Sequence, residues 1–302
     1  MQQEPDAIEK NKTWTLTELP AGHKAIGVKW VYKLKKDPNG KIIKHKARLV
    51  AKGYVQEKGI DYDEVFARVT RLETVRLLLA LSAQQGWDVH HLDVKSAFLN
   101  GDLQEEVYVK QPDGFVKDGQ EHKVYRLSKA LYGLRQAPRA WNVRLDKYLV
   151  SLGFVKCPQE HAVYKRSKED EMLIVGVYVD DLIVIGTCPA EIKKFKKQME
   201  EEFEMSDLGL LSYYLGIEVA QSRHCIKLKQ ALYAKKILQQ VRMDECNSTK
   251  YPMEANLKLG KDEEGEPADP TQYRRIIGSL RYLTHTRPEV AYSVGIVSRY
   301  ME

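Results

Sequence analysis

The sequence predicts an α+β fold in which an antiparallel sheet packs on helices. Three observations carry that expectation. A basic, strand-rich stretch opens the chain, and an acidic dipeptide stands between two apolar strand-forming runs in its middle. Amphipathic helical segments surround that centre and close the C-terminus. With 302 residues, 43 % hydrophobic and 30 % charged, the chain can bury a sizeable core and is long enough for two or three subdomains.

Residues 1–12 are polar and are expected to be loosely ordered. From Trp14 to Tyr54 the pattern reads as strands, with Ala25 to Leu34, Lys41 to Lys44 and Ala47 to Ala51 separated by a turn at Asp37-Pro-Asn-Gly40. There Pro presets φ and Gly accepts a positive one. Thr70 to Gln85 reads as a helix with Leu72, Val75, Leu78 and Leu79 on one face and Gly86 as its stop. A strand carrying Asp93 follows. Leu127–Leu134 and Pro138–Leu152 are expected to be helical, Pro138 suiting a first turn. In the second, Trp141, Leu145, Tyr148 and Leu152 repeat at helical spacing and are expected to pack. Pro189 to Phe203 is an amphipathic helix with Ile192, Phe195, Met199 and Phe203 inward. Ser212 to Lys229 reads as a hairpin and Ala231 to Val241 as a helix. The segment 247–272 is poor in large apolar residues and reads as an exposed connection before helical segments at 273–284 and 288–301.

The run from Met172 to Gly186 has Tyr178-Val179-Asp180-Asp181 at its centre. Strand, two-residue turn, strand is its natural fold, with the acids at the tip. Buried charge is tolerated when paired or bound to metal. Asp93, flanked by Val89-His90-His91-Leu92 and by Val94, is a third carboxylate in a similar setting. Three acids about 4 Å apart would repel by roughly 4 kcal/mol per pair at an effective dielectric near 20. Divalent cations would convert that repulsion into a site, since Mg²⁺ takes one or two carboxylates plus substrate phosphates. This is the chemistry of two-metal phosphoryl and nucleotidyl transfer. His90 and His91 are strand neighbours that point to opposite faces, so structural roles are expected for both.

Charge and cysteine usage narrow the class. The net charge is +6, and Gly22 to Gly59 holds eleven Lys or Arg against two acids. Such a strip suits phosphate backbones, although a solvated charged hairpin would look the same. Cys157, Cys188, Cys225 and Cys246 are scattered, which fits reduced intracellular thiols better than a disulfide framework or zinc site. No apolar stretch is long enough to span a bilayer, and the N-terminus lacks a signal-peptide pattern.

Blocks along the chain then carry a family resemblance: Trp14-Thr-Leu16, Lys29-Trp-Val-Tyr-Lys33, Lys46-Ala-Arg-Leu-Val-Ala-Lys-Gly53 and Asp93-Val-Lys-Ser-Ala-Phe98. Leu131-Tyr-Gly-Leu-Arg-Gln-Ala-Pro-Arg-Ala-Trp141, Tyr178-Val-Asp-Asp181, Tyr214-Leu-Gly-Ile-Glu-Val219 and the stretch from Ile277 to Pro288 continue it. Together, and in this order, they resemble the reverse transcriptases of copia-type LTR retrotransposons, the polymerase portion of a Pol polyprotein. The resemblance implies a right-hand polymerase, with fingers at 13–86, palm at 87–229 including the hairpin 212–229, and a helical thumb at 230–302. RNase H, integrase and protease domains are not expected in this chain. Asp93, Asp180 and Asp181 match the palm carboxylates that hold two Mg²⁺ ions (Mn²⁺ as a substitute), with the backbone carbonyl of Val94 as a further ligand.

The same likeness places Phe98 as the aromatic that excludes ribonucleotides, and Gln136 against the incoming nucleotide. Lys46 and Arg48 resemble residues that grip its triphosphate. Tyr214, Leu215 and Gly216 would position the primer end, and Arg274, Arg275 and Arg281 would meet duplex backbone. The implied partners are dNTPs and an RNA or DNA template-primer, with no membrane. Arg68 departs from the family pattern, standing where Pro is usual, which is expected to loosen a turn near the fingers. The alternative reading is a nucleic-acid-binding remnant of a transposon Pol polyprotein that keeps the fold without turnover. A metal-dependent phosphatase or nuclease is a third, which leaves Phe98 and the Gln136 block unexplained.

Overall fold

The computed structural model describes residues 3–36, 42–254, 257 and 269–301. The turn expected at 37–40 therefore lies outside the described residues, as does most of the later part of the 247–272 connection. The chain divides into two compact units, one ending at Leu210 and the other beginning at Leu211.

The first unit opens with helix α1 (Gln3–Lys10), where loosely ordered chain was expected. Ile8 explains the difference: it is fully buried among Leu49, Val109 and Leu127, and one well-buried aliphatic side chain contributes about 1.5–3 kcal/mol. Strands β1 (Trp14–Thr17), β2 (Val28–Lys36) and β3 (Ile42–Ala51) follow. Strands β2 and β3 pair antiparallel over nearly their whole length. Helix α2 (Leu72–Gln85) ends where expected, because Gly86 adopts φ 67° and returns its N–H to the Ser82 carbonyl. Next come β4 (His90–Val94), β5 (Asp102–Lys110) and β6 (Val124–Lys129). The helix expected over 127–134 is absent. Val124 and Tyr125 are strand formers, and with the buried Leu127 they complete a three-stranded sheet, β6 pairing with β1 on one side and β5 on the other.

Helix α3 (Ala137–Ser151) leads to β7 (Val155–Lys156), β8 (Val163–Lys168), β9 (Glu171–Tyr178) and β10 (Asp181–Gly186). Helix α4 (Pro189–Glu202) and strand β11 (Met205–Leu210) complete the unit. A six-stranded sheet in the order β11-β4-β10-β9-β8-β7 dominates it, and every pairing in that sheet is antiparallel. On one face Leu92, Val94, Val175, Val177, Leu182 and Val184 pack against Trp141, Leu145 and Leu149 of α3 and Ile192, Phe195 and Met199 of α4. On the other, α2 comes so near that a Cβ at Gly176 would lie 3.0 Å from Leu78 Cδ1. Helices thus cover the sheet while one end of its central strands stays open.

The second unit begins with β12 (Tyr213–Tyr214), β13 (Ile217–Ser222) and β14 (Cys225–Lys229), a three-stranded antiparallel sheet rather than the single hairpin expected. These strands group with the C-terminal helices, so the unit boundary divides the stretch 87–229. Helices α5 (Ala231–Gln240), α6 (Pro270–Leu283) and α7 (Ala291–Val297) follow. Short 3₁₀ turns flank α7 at 288–290 and 298–300, where one continuous helix was expected. Helix α6 is capped by Asp269, whose carboxylate accepts from the Thr271 N–H.

Candidate active site

The site grows out of strand pairing. Strands β9 and β10 are joined by only two residues, Val179 and Asp180, with Tyr178 opposite Asp181. Strand β4 lies on the other side of β10, and its register sets Asp93 directly opposite Asp181. Opposed residues on antiparallel strands have Cβ atoms about 5 Å apart. Asp93 and Asp181, which stand 88 positions apart in sequence, therefore meet at one end of the sheet, with Asp180 in the turn beside them. The Val94 N–H donates to the Asp180 carbonyl at 2.8 Å, locking the turn to β4.

The electrostatics reflect this crowding. The Asp180 carboxyl is pushed above the ordinary range, chiefly by burial and then by the Asp181 and Asp93 carboxylates. A backbone N–H and the Arg48 guanidinium pull the other way. His91 meets Asp181 with Nε2 and Oδ1 2.8 Å apart. A structural role alone was expected for His91, yet its place two residues before Asp93 puts it on the same strand face as the acids. His90 does point the opposite way, its Nδ1 lying 3.0 Å from Lys196 Nζ. Burial pushes the His90 imidazole pKa down, and the Lys196 charge pushes the same way.

A cleft of about 630 Å³ opens here, lined by Lys46, Arg48, Asp93, Val94, Lys95 and Asp180 among others. Lys46 and Arg48 are two apart on β3 and so share a face. The Arg48 guanidinium sits 4.4 Å from the centre of the Tyr132 ring, close enough for a cation–π contact. Tyr132 also packs on Phe98 at 4.8 Å. Its hydroxyl pKa is pushed up to about 12, above all by burial, so it stays protonated at any working pH. Glu4 of α1 reaches the same cleft, where its carboxylate accepts from the Leu49 N–H at 3.2 Å. Burial raises the Glu4 pKa, against the pull of Arg48 and Lys46.

Gln136 is placed differently from the expectation of nucleotide contact. It is 1 % exposed; its side-chain oxygen accepts from Gln56 Nε2 at 3.0 Å, and its Nε2 donates to the Asp61 carbonyl at 2.9 Å. A buried amide must satisfy its polar atoms locally, and Gln136 does so by tying the start of α3 to the 56–61 loop. Arg68 is exposed, and its carbonyl accepts from Asn142 Nδ2 at 3.4 Å.

Among the described residues, no three His, Cys, Asp or Glu side chains converge as a ready metal-binding group. Asp93, Asp180 and Asp181 are brought to one sheet end, where Asp181 Oδ1 is engaged by His91 Nε2. Such an open set suits a hard cation that takes only one or two carboxylates and leaves its other positions to water and phosphate oxygens.

Residues 11–255 match the family described as reverse transcriptase (RNA-dependent DNA polymerase). The chain belongs to the reverse transcriptase family. It is 40 % identical, over its whole length, to the retrovirus-related Pol polyprotein from transposon TNT 1-94 of Nicotiana tabacum. It is 36 % identical, over 96 % of its length, to the retrovirus-related Pol polyprotein from transposon RE1 of Arabidopsis thaliana. A putative transposon Ty5-1 protein of Saccharomyces cerevisiae is 34 % identical over 70 % of this chain and 69 % of its own length. The chain spans 24 % and 20 % of the first two relatives. The copia-type reverse transcriptase resemblance therefore holds along the whole chain.

In the second unit of this reverse transcriptase chain, Leu215 and Gly216 form the β12–β13 turn with φ 49° and 87°. The Tyr282 hydroxyl donates to the Leu215 carbonyl, and a Cβ on Gly216 would come 3.4 Å from the Tyr282 ring. Tyr214 is buried. Arg274, Arg275 and Arg281 are exposed on α6, with Arg274 Nε donating to the Met301 carbonyl at 2.9 Å. Among the described residues no helix is long and apolar enough to cross a membrane.

Proposed function

We propose that this chain is an RNA-directed DNA polymerase domain that extends a primer 3′-hydroxyl with dNTPs on an RNA or DNA template. The observation that carries the proposal is the opposition of Asp93 and Asp181, with Asp180 in the adjoining turn; Asp93 and Asp180 line a cleft that Lys46 and Arg48 also line. The right-hand plan belongs to this reading, with fingers in 13–86, palm from 87 onward and thumb in the C-terminal helices.

The crowded carboxylates and the raised Asp180 pKa suit a bound metal. Neighbouring carboxylates contribute to that rise, and a divalent cation relieves repulsion of this kind. Asp93, Asp180 and Asp181, with the Val94 carbonyl, would hold the ions. Two Mg²⁺ ions, when bound, lower the pKa of the primer hydroxyl and neutralise the leaving pyrophosphate. The protein's own contributions are distinct. Arg48 and Lys46 offset triphosphate charge and orient it. Phe98, braced by Tyr132, limits room at the sugar 2′ position. His91 restrains the Asp181 carboxylate through one oxygen.

Primer extension by the purified 302-residue chain with Mg²⁺ or Mn²⁺ tests the reading, with the double variant Asp180→Asn/Asp181→Asn as control. Template-directed incorporation by the wild type and its loss in the control are expected. Incorporation that survives the double change refutes the metal assignment. Tight template-primer binding without incorporation would instead favour a non-catalytic remnant.

A further inference from the structure

The turn that carries Asp180 has an energetic problem. Val179 adopts φ 58°, and a β-branched residue in the left-handed region is an outlier costing about 1–3 kcal/mol. Two-residue hairpin loops of the II′ type have a positive φ at the first central residue only, whereas I′ loops have it at both. Val179 has it and Asp180 does not, so the loop is of the II′ kind. That type places Gly at the first position, and here the position is Val.

The two types differ by a flip of the peptide joining the central residues, which carries the Val179 carbonyl. Flipping it would drive Asp180 to a positive φ and swing its Cα–Cβ bond, so the carboxylate would leave its place beside Asp93 and Asp181. Relaxing Val179 to a negative φ instead would give type I or II turns, which splay the strands. Whatever grips the Val179 carbonyl therefore selects the direction of Asp180.

Trp141 grips it. Its indole N–H donates to the Val179 carbonyl at 2.7 Å, from a side chain only 1 % exposed. The ring is set edge-on to Phe203 at 5.1 Å. The backbone of α3 at Trp141 is pressed so tightly on Gly101 that a Cβ there would lie 2.5 Å from the Trp141 nitrogen. The donor is thus held rigidly by its own helix. With the Val94 N–H on the Asp180 carbonyl, both carbonyls of the loop are tethered, one to α3 and one to the strand of Asp93.

We propose that Trp141 is a positioning residue: its indole N–H holds the Val179–Asp180 peptide in the II′ orientation and thereby aims the Asp180 carboxylate. Its effect on turnover rests on the polymerase reading above; its effect on the loop does not. Trp141→Phe keeps an aromatic ring against Phe203 and removes the donor. Primer extension should then show kcat down about 10- to 100-fold, because a misaimed catalytic group costs that much, with the dNTP KM moving less than about threefold. Val179→Gly removes the backbone strain and makes II′ the intrinsic preference. In the Val179→Gly background, Trp141→Phe should therefore cost less than about threefold in kcat.

A loss of equal size in both backgrounds means that Trp141 only fills the core, and overturns the proposal. So does the absence of any loss in the single variant. A second measurement needs no activity: hydrogen–deuterium exchange of the metal-free protein at the Val94 N–H and across 178–181. Trp141→Phe should speed exchange about tenfold or more, with recovery in the double variant. Unchanged exchange overturns the latch even if polymerisation is found, whereas protected exchange in an inactive wild type refutes the polymerase reading alone.

Discussion

Replacing Asp180 by Asn should make the metal-free protein more stable while abolishing nucleotide incorporation. Asp180 shares a sheet end with Asp93 and Asp181. For carboxylates about 6 Å apart, Coulomb repulsion is about 0.7 kcal/mol in water and about 3 kcal/mol at an effective dielectric near 20. The turn is half-buried and open to solvent on the cleft side, so screening brings the net penalty to about 1 kcal/mol. For a unit of this size that corresponds to about 2–4 °C in Tm.

The sign with pH follows from the raised pKa. Protonation of Asp180 contributes stability that is complete below the ordinary value of 3.8 and is lost as pH rises through the higher folded-state value. The Asn variant should therefore melt above the wild type at pH 7 in the presence of a chelator, and the two should converge as the buffer is acidified towards pH 4. Millimolar Mg²⁺ should raise the wild-type Tm more than that of the variant. Calorimetry across pH, with and without Mg²⁺, measures all three. Equal Tm values at pH 7 without metal, or equal stabilisation of both proteins by Mg²⁺, would refute the argument that these carboxylates form an unsatisfied cation site.

Further outcomes follow from other contacts. Phe195→Ala empties a fully buried site between α4 and the large sheet and should cost about 3–5 kcal/mol in chemical denaturation. Gly133 has φ 92°, and a Cβ there would lie 2.2 Å from the Ala51 carbonyl oxygen; Gly133→Ala should destabilise by about 2 kcal/mol or more and, by displacing the end of β3, raise the dNTP KM. Lys46→Ala and Arg48→Ala should each raise the dNTP KM about tenfold, and an unchanged KM would remove that residue from triphosphate binding. Phe98→Ala should admit ribonucleotides in a competition assay; retained sugar discrimination would strip Phe98 of the gate role.

Much of this molecule can be read from the chain alone. Gly86 stopping α2, the inward stripe of α4 and the β9–β10 hairpin are local, because periodicity and turn chemistry decide them within a dozen residues. The family likewise follows from short blocks in a set order. Other features depend on distant partners. Residues 3–10 look too polar to fold, yet Ile8 finds a pocket between strands far along the chain. The 124–129 segment is claimed by β1 and β5 against its expected helix. Gln136 turns inward because Gln56 and Asp61 satisfy its amide, which no spacing reveals.

For the site, the sequence determines which acids are present and that two of them lie at a hairpin tip. The register between β4 and β10, a matter of long-range pairing, decides that Asp93 faces Asp181. Tertiary packing also decides how the Asp180 turn is held, since an indole from α3 must arrive within hydrogen-bonding distance of a carbonyl whose orientation the local chain, with Val rather than Gly at its first turn position, would not choose.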